Sequence, residues 1–460
     1  MKKIFALLLA LCMVFALAAC GSSAGSAPAA EEAPAAEEAA PAAEEAVAEE
    51  PAEEAAEEPA EAEEPAEEAA PAGEGIAAED LIVGMVCVED ENSGYDYAHI
   101  EGVETAMANL GIPAENLILK VDIPEDETCY DAIVDLAEQG CDIVFTDSYG
   151  HQSYAEQAAV DYPDVIVVSM TGDYAWTTGL DNYKNAFPHT FESRYVSGVV
   201  AGMKLQEMID NGEVPETGID ADGNYKLGYV GAYPYAEVVS GYTAFYLGVK
   251  SVVENVVMDV RFTNSWYDPI GEAAAAEALM ADGCFIISQH ADSTGAPGAV
   301  QAARDGGANV YCVGYNISML SVAPTAALTS ASNNWSVFYT EALQHMLDGS
   351  EIPTDWSEGY ATGANYITEL GESCAEGTAE KVAEVEAAIA DGSLQVFDTA
   401  NFTVGGETVE SFLALDVDGD FVGDEGEAII DGVFYESNTD LRSAPYFSLA
   451  IDGINQLIEG

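Results

Sequence analysis

Past Asp80 the chain alternates short, β-branched apolar runs with longer stretches whose apolar positions recur every three to four residues. Residues 81–87, 117–121, 142–146 and 165–170 read as strands, and 95–110, 129–139, 152–161 and 192–209 as helices. The rhythm then restarts. Strands at 226–231, 257–262, 285–288 and 310–313 alternate with helices at 237–253, 270–281 and 298–305. Near-continuous apolar strands separated by helices predict parallel sheets covered on both faces. Two such runs predict an α/β fold of two doubly wound lobes, with a ligand cleft between them at the carboxyl ends of the strands. The expected division is a first lobe at 81–184 with a returning segment near 317–350, a second lobe at 185–316, and a C-terminal extension at 351–460 that packs on the lobes.

The N-terminus follows neither pattern. Lys2 and Lys3 precede an apolar stretch at 4–17, too short to span a bilayer comfortably and right for a signal-peptide core. It ends in Leu17-Ala18-Ala19-Cys20-Gly21, which resembles the lipobox of bacterial lipoproteins. That resemblance implies removal of residues 1–19, acylation of Cys20, and anchorage to the extracytoplasmic face of the cell membrane. Residues 22–80 are almost only Ala, Glu, Pro, Gly and Ser, with twenty acids, no Lys or Arg and no aromatic residue. Such a segment cannot bury enough apolar surface to offset its chain entropy, and charge repulsion and proline keep it extended. It reads as a tether that lifts the folded lobes off the membrane.

Charge narrows the partners. The 460 residues carry 83 acidic and 12 basic side chains, a formal net charge of -71. Nucleic acid and anionic headgroups need a cationic surface, so this balance argues against both. Beyond residue 80 there remain 63 acids against ten bases, a self-repelling surface that leads us to expect a monomer.

Common catalytic and cofactor signatures are missing from the sequence. There is no G-x-x-x-x-G-K-[ST] loop, and Gly228-Tyr229-Val230-Gly231 is only a partial dinucleotide motif, better read as tight strand-to-helix packing. His99, His151, His189, His290 and His345 are scattered without zinc-ligand spacing, and no serine nucleophile elbow occurs. No cofactor or metal is expected. Cys87, Cys129, Cys141, Cys284, Cys312 and Cys374 read mostly as small buried hydrophobes; disulfides are compatible with an extracellular setting, but spacing does not pair them. Asp416, Asp418, Asp420, Asp424 and Glu427 follow an EF-hand count, yet Phe421 stands where the loop needs Gly, so a solvated acidic turn is the better reading.

The aromatics say more. Tyr95 follows the first strand in Asn92-Ser93-Gly94-Tyr95-Asp96-Tyr97-Ala98-His99. Trp266 follows a second-lobe strand in Thr263-Asn264-Ser265-Trp266-Tyr267-Asp268-Pro269. One ring per lobe at the strand ends, amid amides and carboxylates, suits a cleft that sandwiches a flat ligand and reads its edge. Asn333-Asn334-Trp335 and Gln289-His290-Ala291-Asp292-Ser293 are further polar and aromatic clusters at segment ends.

From about residue 81 to 350 these stretches resemble the basic membrane protein family, also called Med-like or PnrA-like. The resemblance is carried by 94–99, by Phe145-Thr146-Asp147-Ser148-Tyr149-Gly150, by 191–198, 263–269 and 289–293, by Gly314-Tyr315-Asn316, and by a tail segment at 442–447. It implies a type I periplasmic-binding-protein fold and a non-enzymatic lipoprotein that presents a purine nucleoside or purine base to ABC permease subunits. The implied ligand-binding set is Tyr95, Trp266, Asn92, Ser148, Gln289, Asp292, Asn316, Asn334 and Trp335, with no catalytic residue. Two departures make a base as good a candidate as a nucleoside: Asn316 stands where nucleoside-binding members have Asp for the ribose, and Asn334 and Trp335 stand where they use Lys. Alternatives are a non-transport surface receptor or signalling lipoprotein, and a nucleoside hydrolase. The hydrolase reading lacks a calcium-binding Asp cluster near the first strand.

Overall fold

The computed structural model describes residues 75–414, 426–437 and 442–457. Cys20, the tether through residue 74 and the acidic turn at 415–425 lie outside the described residues. The first run folds as β1 (Val83–Val86), α1 (Gly94–Leu110), β2 (Leu117–Lys120), α2 (Glu127–Glu138), β3 (Ile143–Thr146), α3 (Gln152–Asp161), β4 (Ile166–Met170) and β5 (Tyr183–Ala186). The long helix α4 (Thr190–Asn211) opens the second run. It continues with β6 (Tyr225–Gly231), α5 (Ala236–Lys250), β7 (Val256–Phe262), α6 (Pro269–Ala281), β8 (Ile286–His290), α7 (Gly295–Asp305), β9 (Tyr311–Tyr315) and β10 (Ala327–Asn333). Then come α8 (Ser336–Asp348), β11 (Asp355–Trp356), β12 (Asn365–Ile367) and α9 (Thr378–Ala390).

The first sheet has the order β2-β1-β3-β4-β5-β11, parallel throughout. The second runs β7-β6-β8-β9-β10 in parallel, extended by antiparallel β12 beside β10 and by the parallel strand Ile454–Gln456 beside β7. Both cores of the order are 2-1-3-4-5, the doubly wound arrangement whose switch point lies beside the first strand of each lobe. Strands buried on both faces make this possible: every residue of β1, β3, β8 and β9 is buried. Helices α1 and α8 cover one face of the first sheet, around Val103, Phe338 and Trp356, and α2 and α3 cover the other, around Ile133 and Ala158.

In the second lobe α4 crosses α5 at backbone contact. A Cβ on Gly198 would meet the Phe245 carbonyl at 2.2 Å, and one on Gly248 the Tyr195 carbonyl at 2.1 Å. Only glycine allows that approach. The return to the first lobe comes after β10, not near 317: all seven residues of β10 are buried in the second sheet, and α8 is the first element back against α1. The extension is shared between lobes, since β11 joins the first sheet while β12 and Ile454–Gln456 join the second. Cys87, Cys129, Cys141, Cys284, Cys312 and Cys374 are free thiols, five of them buried.

Candidate ligand-binding cleft

The carboxyl ends of the two sheets face each other across a cleft with about 550 Å³ of empty space, part of it open to solvent. The lobes touch at its edge, where the Gly94 N–H at the start of α1 donates to the Asp292 carbonyl after β8 at 3.2 Å. Backbone strain collects here. Thr171 after β4, Asn264 after β7 and Asn316 after β9 have φ of +64°, +56° and +62°, the left-handed region that a β-branched threonine enters only at a cost.

The first lobe supplies the start of α1. Ser93 caps the helix by accepting from Asp96 N–H at 3.3 Å, and its hydroxyl donates to Asp96 Oδ2 at 2.5 Å. This turn holds Tyr95 in the cleft wall. Its hydroxyl donates to the Asp147 carbonyl at 2.6 Å, and its ring stands edge-on to His99 at 4.5 Å. Ser148 and Tyr149 after β3, and Thr171 after β4, complete this side.

The second lobe supplies Trp266 and Tyr267 after β7, His290 and Asp292 from β8 and its end, and Tyr315 from β9. Trp266 is half-buried and edge-on to Tyr233 at 5.2 Å. Arg194 of α4, fully buried, underpins this floor: Nη1 donates to the Gln289 carbonyl at 2.5 Å and the guanidinium lies 3.6 Å from the Tyr315 ring centroid. Glu237, from the first turn of α5, reaches His290 Nε2 at 3.3 Å.

Among the lining residues Glu89, Asp96, Glu237 and Asp292 are acids, and there is no Lys or Arg. Burial pushes Asp292 well above the usual carboxylate range, with Glu272 and Asp96 adding to the push. Burial takes Glu237 up to about 7 against the opposing pull of Arg194, and Glu272 behind the cleft also to about 7. His290 is held well below its usual value by burial and by Arg194, and so stays neutral. Such a surface offers carboxyl oxygens to a ligand rich in N–H or O–H donors and has no lining cation to pair with an anion.

Tyr95, Ser148, Trp266 and Asp292 line the cleft. Gln289 and Asn316 lie just behind it. The Gln289 amide donates to the carbonyls of Ala291 (2.7 Å) and Ser293 (3.0 Å), shaping the turn, and Asn316 Nδ2 donates to Asp292 Oδ1 at 2.8 Å. Asn92 is elsewhere, on an exposed turn where its amide bonds the Asp90 carboxylate. Asn334 and Trp335 line a separate outer groove between α1 and β12. Trp335 nonetheless supports the cleft from behind, since its ring stacks on His99 at 3.9 Å and His99 in turn abuts Tyr95. Asp96, Tyr149, Thr171, Glu237 and Tyr315 are lining residues that the sequence reading did not single out. Position at a strand's carboxyl end was the usable signal for Thr171 and Tyr315.

One group among the described residues, Cys87, Asp96 and Asp147, has the atoms to hold a metal ion. Burial and neighbouring acids push both the Cys87 thiol and the Asp147 carboxyl well up, and Asp96 is taken by Ser93 Oγ and the Glu89 N–H. The chemistry of this donor set suits shared protons better than a cation.

A family model described as ABC transporter substrate-binding protein PnrA-like matches residues 83–362. A purine-binding protein of Brucella abortus (strain 2308) is 31% identical over 275 residues, covering 60% of this chain and 71% of that one. A protein of Haloferax volcanii named as an ABC transporter glucose-binding protein is 32% identical over 292 residues, covering 63% of this chain and 67% of that one. Among solved structures, an ABC transporter solute-binding protein from Aeropyrum pernix K1 is similar with a TM-score of 0.57 at 16% identity, covering 68% of this chain and 92% of that one. The shared architecture is the type I periplasmic-binding fold.

Proposed function

The chain belongs to the family of PnrA-like ABC transporter substrate-binding proteins, and on that footing we propose that it captures a purine base or purine nucleoside between Tyr95 and Trp266 and presents it to a permease. The observation that carries this reading is the cleft itself: one aromatic wall from each lobe, buried carboxyl groups in the same lining, and no lining cation. A planar heterocycle gains from both rings, and its N–H and amino groups suit Glu237 and Asp292. A nucleotide would bring its phosphate into a cleft with no lining cation to pair with it, so the phosphorylated forms are poor ligands. The name of the Brucella relative agrees with a purine. We further propose that the protein acts as a receptor without turnover, as a monomer, held on the extracytoplasmic face of the membrane by an acylated Cys20.

A second reading, a hexose ligand, has one observation in its favour: the same carboxylates accept sugar hydroxyls as well, and the Haloferax relative is named for glucose. A thermal-shift panel of purine bases, nucleosides, nucleotides and glucose separates the two. A ligand at 100 times its Kd stabilises the folded protein by about 2.7 kcal/mol. The expected result is a raised midpoint with a base or nucleoside and none with AMP or glucose. A shift with glucose alone would overturn the purine assignment.

A further inference from the structure

The tail runs from one lobe to the other beside the cleft. Phe434, Tyr446 and Phe447 belong to the core of the second lobe. Between them Arg442 and Ser443 are buried against the first lobe. The Ser443 N–H donates to Asp355 Oδ2 on β11 at 2.6 Å. Arg442, 7% exposed, meets Asp173, 2% exposed, in the loop after β4. Its Nη1 donates to Asp173 Oδ2 at 3.1 Å. Its Nε and Nη2 donate to the carbonyls of Ala444 and Pro445, each at 3.1 Å, which fixes the plane of the guanidinium. The same Asp173 oxygen accepts from the Tyr149 hydroxyl at 3.0 Å, and Tyr149 lines the cleft. The tail thus reaches a cleft residue through one shared carboxylate oxygen.

We infer that Arg442, on the tail and outside the matched segment 83–362, is a positioning residue for the ligand cleft: through Asp173 it fixes the Tyr149 side chain in the cleft wall. The inference rests on the reading of this cleft as the purine site. Tyr149 opens a single 3-10 turn, Tyr149–His151, whose start has no side-chain cap. Its hydroxyl is held by the Asp173 carboxylate. Arg442 orients that carboxylate as the acceptor, while the guanidinium Nε and Nη2 bond tail carbonyls. A lysine supplies the charge but not the planar fork. Because residues 446 and 447 are rooted in the second lobe, placing Tyr149 and docking the lobes become one event.

The test uses the full mature chain, with adenine and adenosine as calorimetric probes and hydrogen exchange on the ligand-free protein. R442Q should weaken binding about tenfold, the loss expected for one charge-assisted contact, and R442K should recover part of it. If Arg442 acts through Tyr149, the R442Q/Y149F double variant binds no more weakly than Y149F alone, and R442Q raises exchange at 147–152 while the α4–α5 crossing keeps its protection. Effects that multiply in the double variant, or unchanged exchange at 147–152, would overturn the inference. Should R442Q not fold, D173N replaces it in the same cycle. Should wild type bind neither probe, the purine reading fails and the exchange result alone decides the role of Arg442.

Discussion

Replacing Trp266 by alanine removes one wall of the cleft and leaves the local backbone in place, because the Trp266 carbonyl still accepts from the Asp292 N–H at 2.9 Å. Tyr233 stands edge-on to the indole at 5.2 Å and Tyr235 lies tilted to it at 6.2 Å, while the ring also lines the cleft. A purine covers roughly 80 Å² of an indole face, which at about 25 cal/mol per Å² comes to about 2 kcal/mol. A well-placed aromatic pair adds about 0.5–1.5 kcal/mol. Together they put the loss at about 100-fold, with tenfold as the floor if neighbouring side chains fill the gap. Trp266→Phe keeps a ring and should lose less than about tenfold. Tyr95→Ala should weaken binding similarly but also destabilise the ligand-free protein, by about 3 kcal/mol, because Tyr95 bonds the Asp147 carbonyl and packs on His99. Calorimetry gives the affinities; circular dichroism and the ligand-free melting midpoint separate binding from folding. Folded Trp266→Ala and Tyr95→Ala proteins that both bind like wild type would refute the sandwich.

Two further outcomes concern anchorage and pH. A Cys20→Ala variant should be released from membranes or remain unprocessed, read by fractionation and the mass of the mature chain; normal processing with wild-type membrane retention would count against the lipobox. The ligand-free melting midpoint should fall as pH rises from about 5 to about 8.5, because the four raised carboxyls outweigh the two lowered histidines in proton linkage. His99 and His290 have folded-state values well below 6.5, so the unfolded chain binds more protons as pH falls, and these two oppose the trend on the acid side. Asp355 at about 6, Glu237 and Glu272 at about 7 and Glu436 at about 8 are raised, so the folded state holds more protons above about pH 4.5 and stability is lost as pH rises through these values. E436Q should flatten the fall, and a midpoint that climbs steadily to pH 8.5 would contradict this assignment.

The alternation of strands and helices was legible because its signal is burial. Predicted helix 152–161 coincides with α3, and strand 226–231 misses β6 by one residue. Two strands that escaped, β5 and β10, lack a long apolar run. In β5, Tyr183-Lys184-Asn185-Ala186, all four residues are buried, yet two are polar, and Lys184 stays inside because its ammonium reaches Glu351 at 3.6 Å. In β10 small hydroxyl residues take the place of Val and Ile, with Thr329 donating to the Thr368 carbonyl at 2.8 Å and Ser332 to the Asn316 carbonyl at 2.6 Å. Such partners are made by the fold and leave no periodicity to read. The cleft was half legible for the same reason. Tyr95 and Trp266 stand out as rings after strands. Glu237 is hidden, because an acid in the first turn of a helix is what the helix dipole favours anyway. Asn92 was a plausible edge reader by composition, but its own turn claims its amide.

Several features that defy ordinary preference gather around the cleft. Thr171, Asn264 and Asn316 are left-handed there, Asp292 and Glu237 are carboxyls driven toward neutrality, and Arg194 is a cation fully buried beneath them. Each costs on the order of a kcal/mol or more, and none is needed to form either sheet. The cost is carried by cores well away from the cleft, such as the α4–α5 crossing and the paired faces of the first sheet. A rigid scaffold with its strain gathered where two lobes meet has the most to gain from a ligand that brings donors to the carboxylates and covers both rings. Ligand binding should therefore stabilise this arrangement of the two lobes more than it deforms it. A substrate-binding protein gains from this balance: the empty cleft carries the cost of its buried carboxyls, and a bound ligand with donors relieves it.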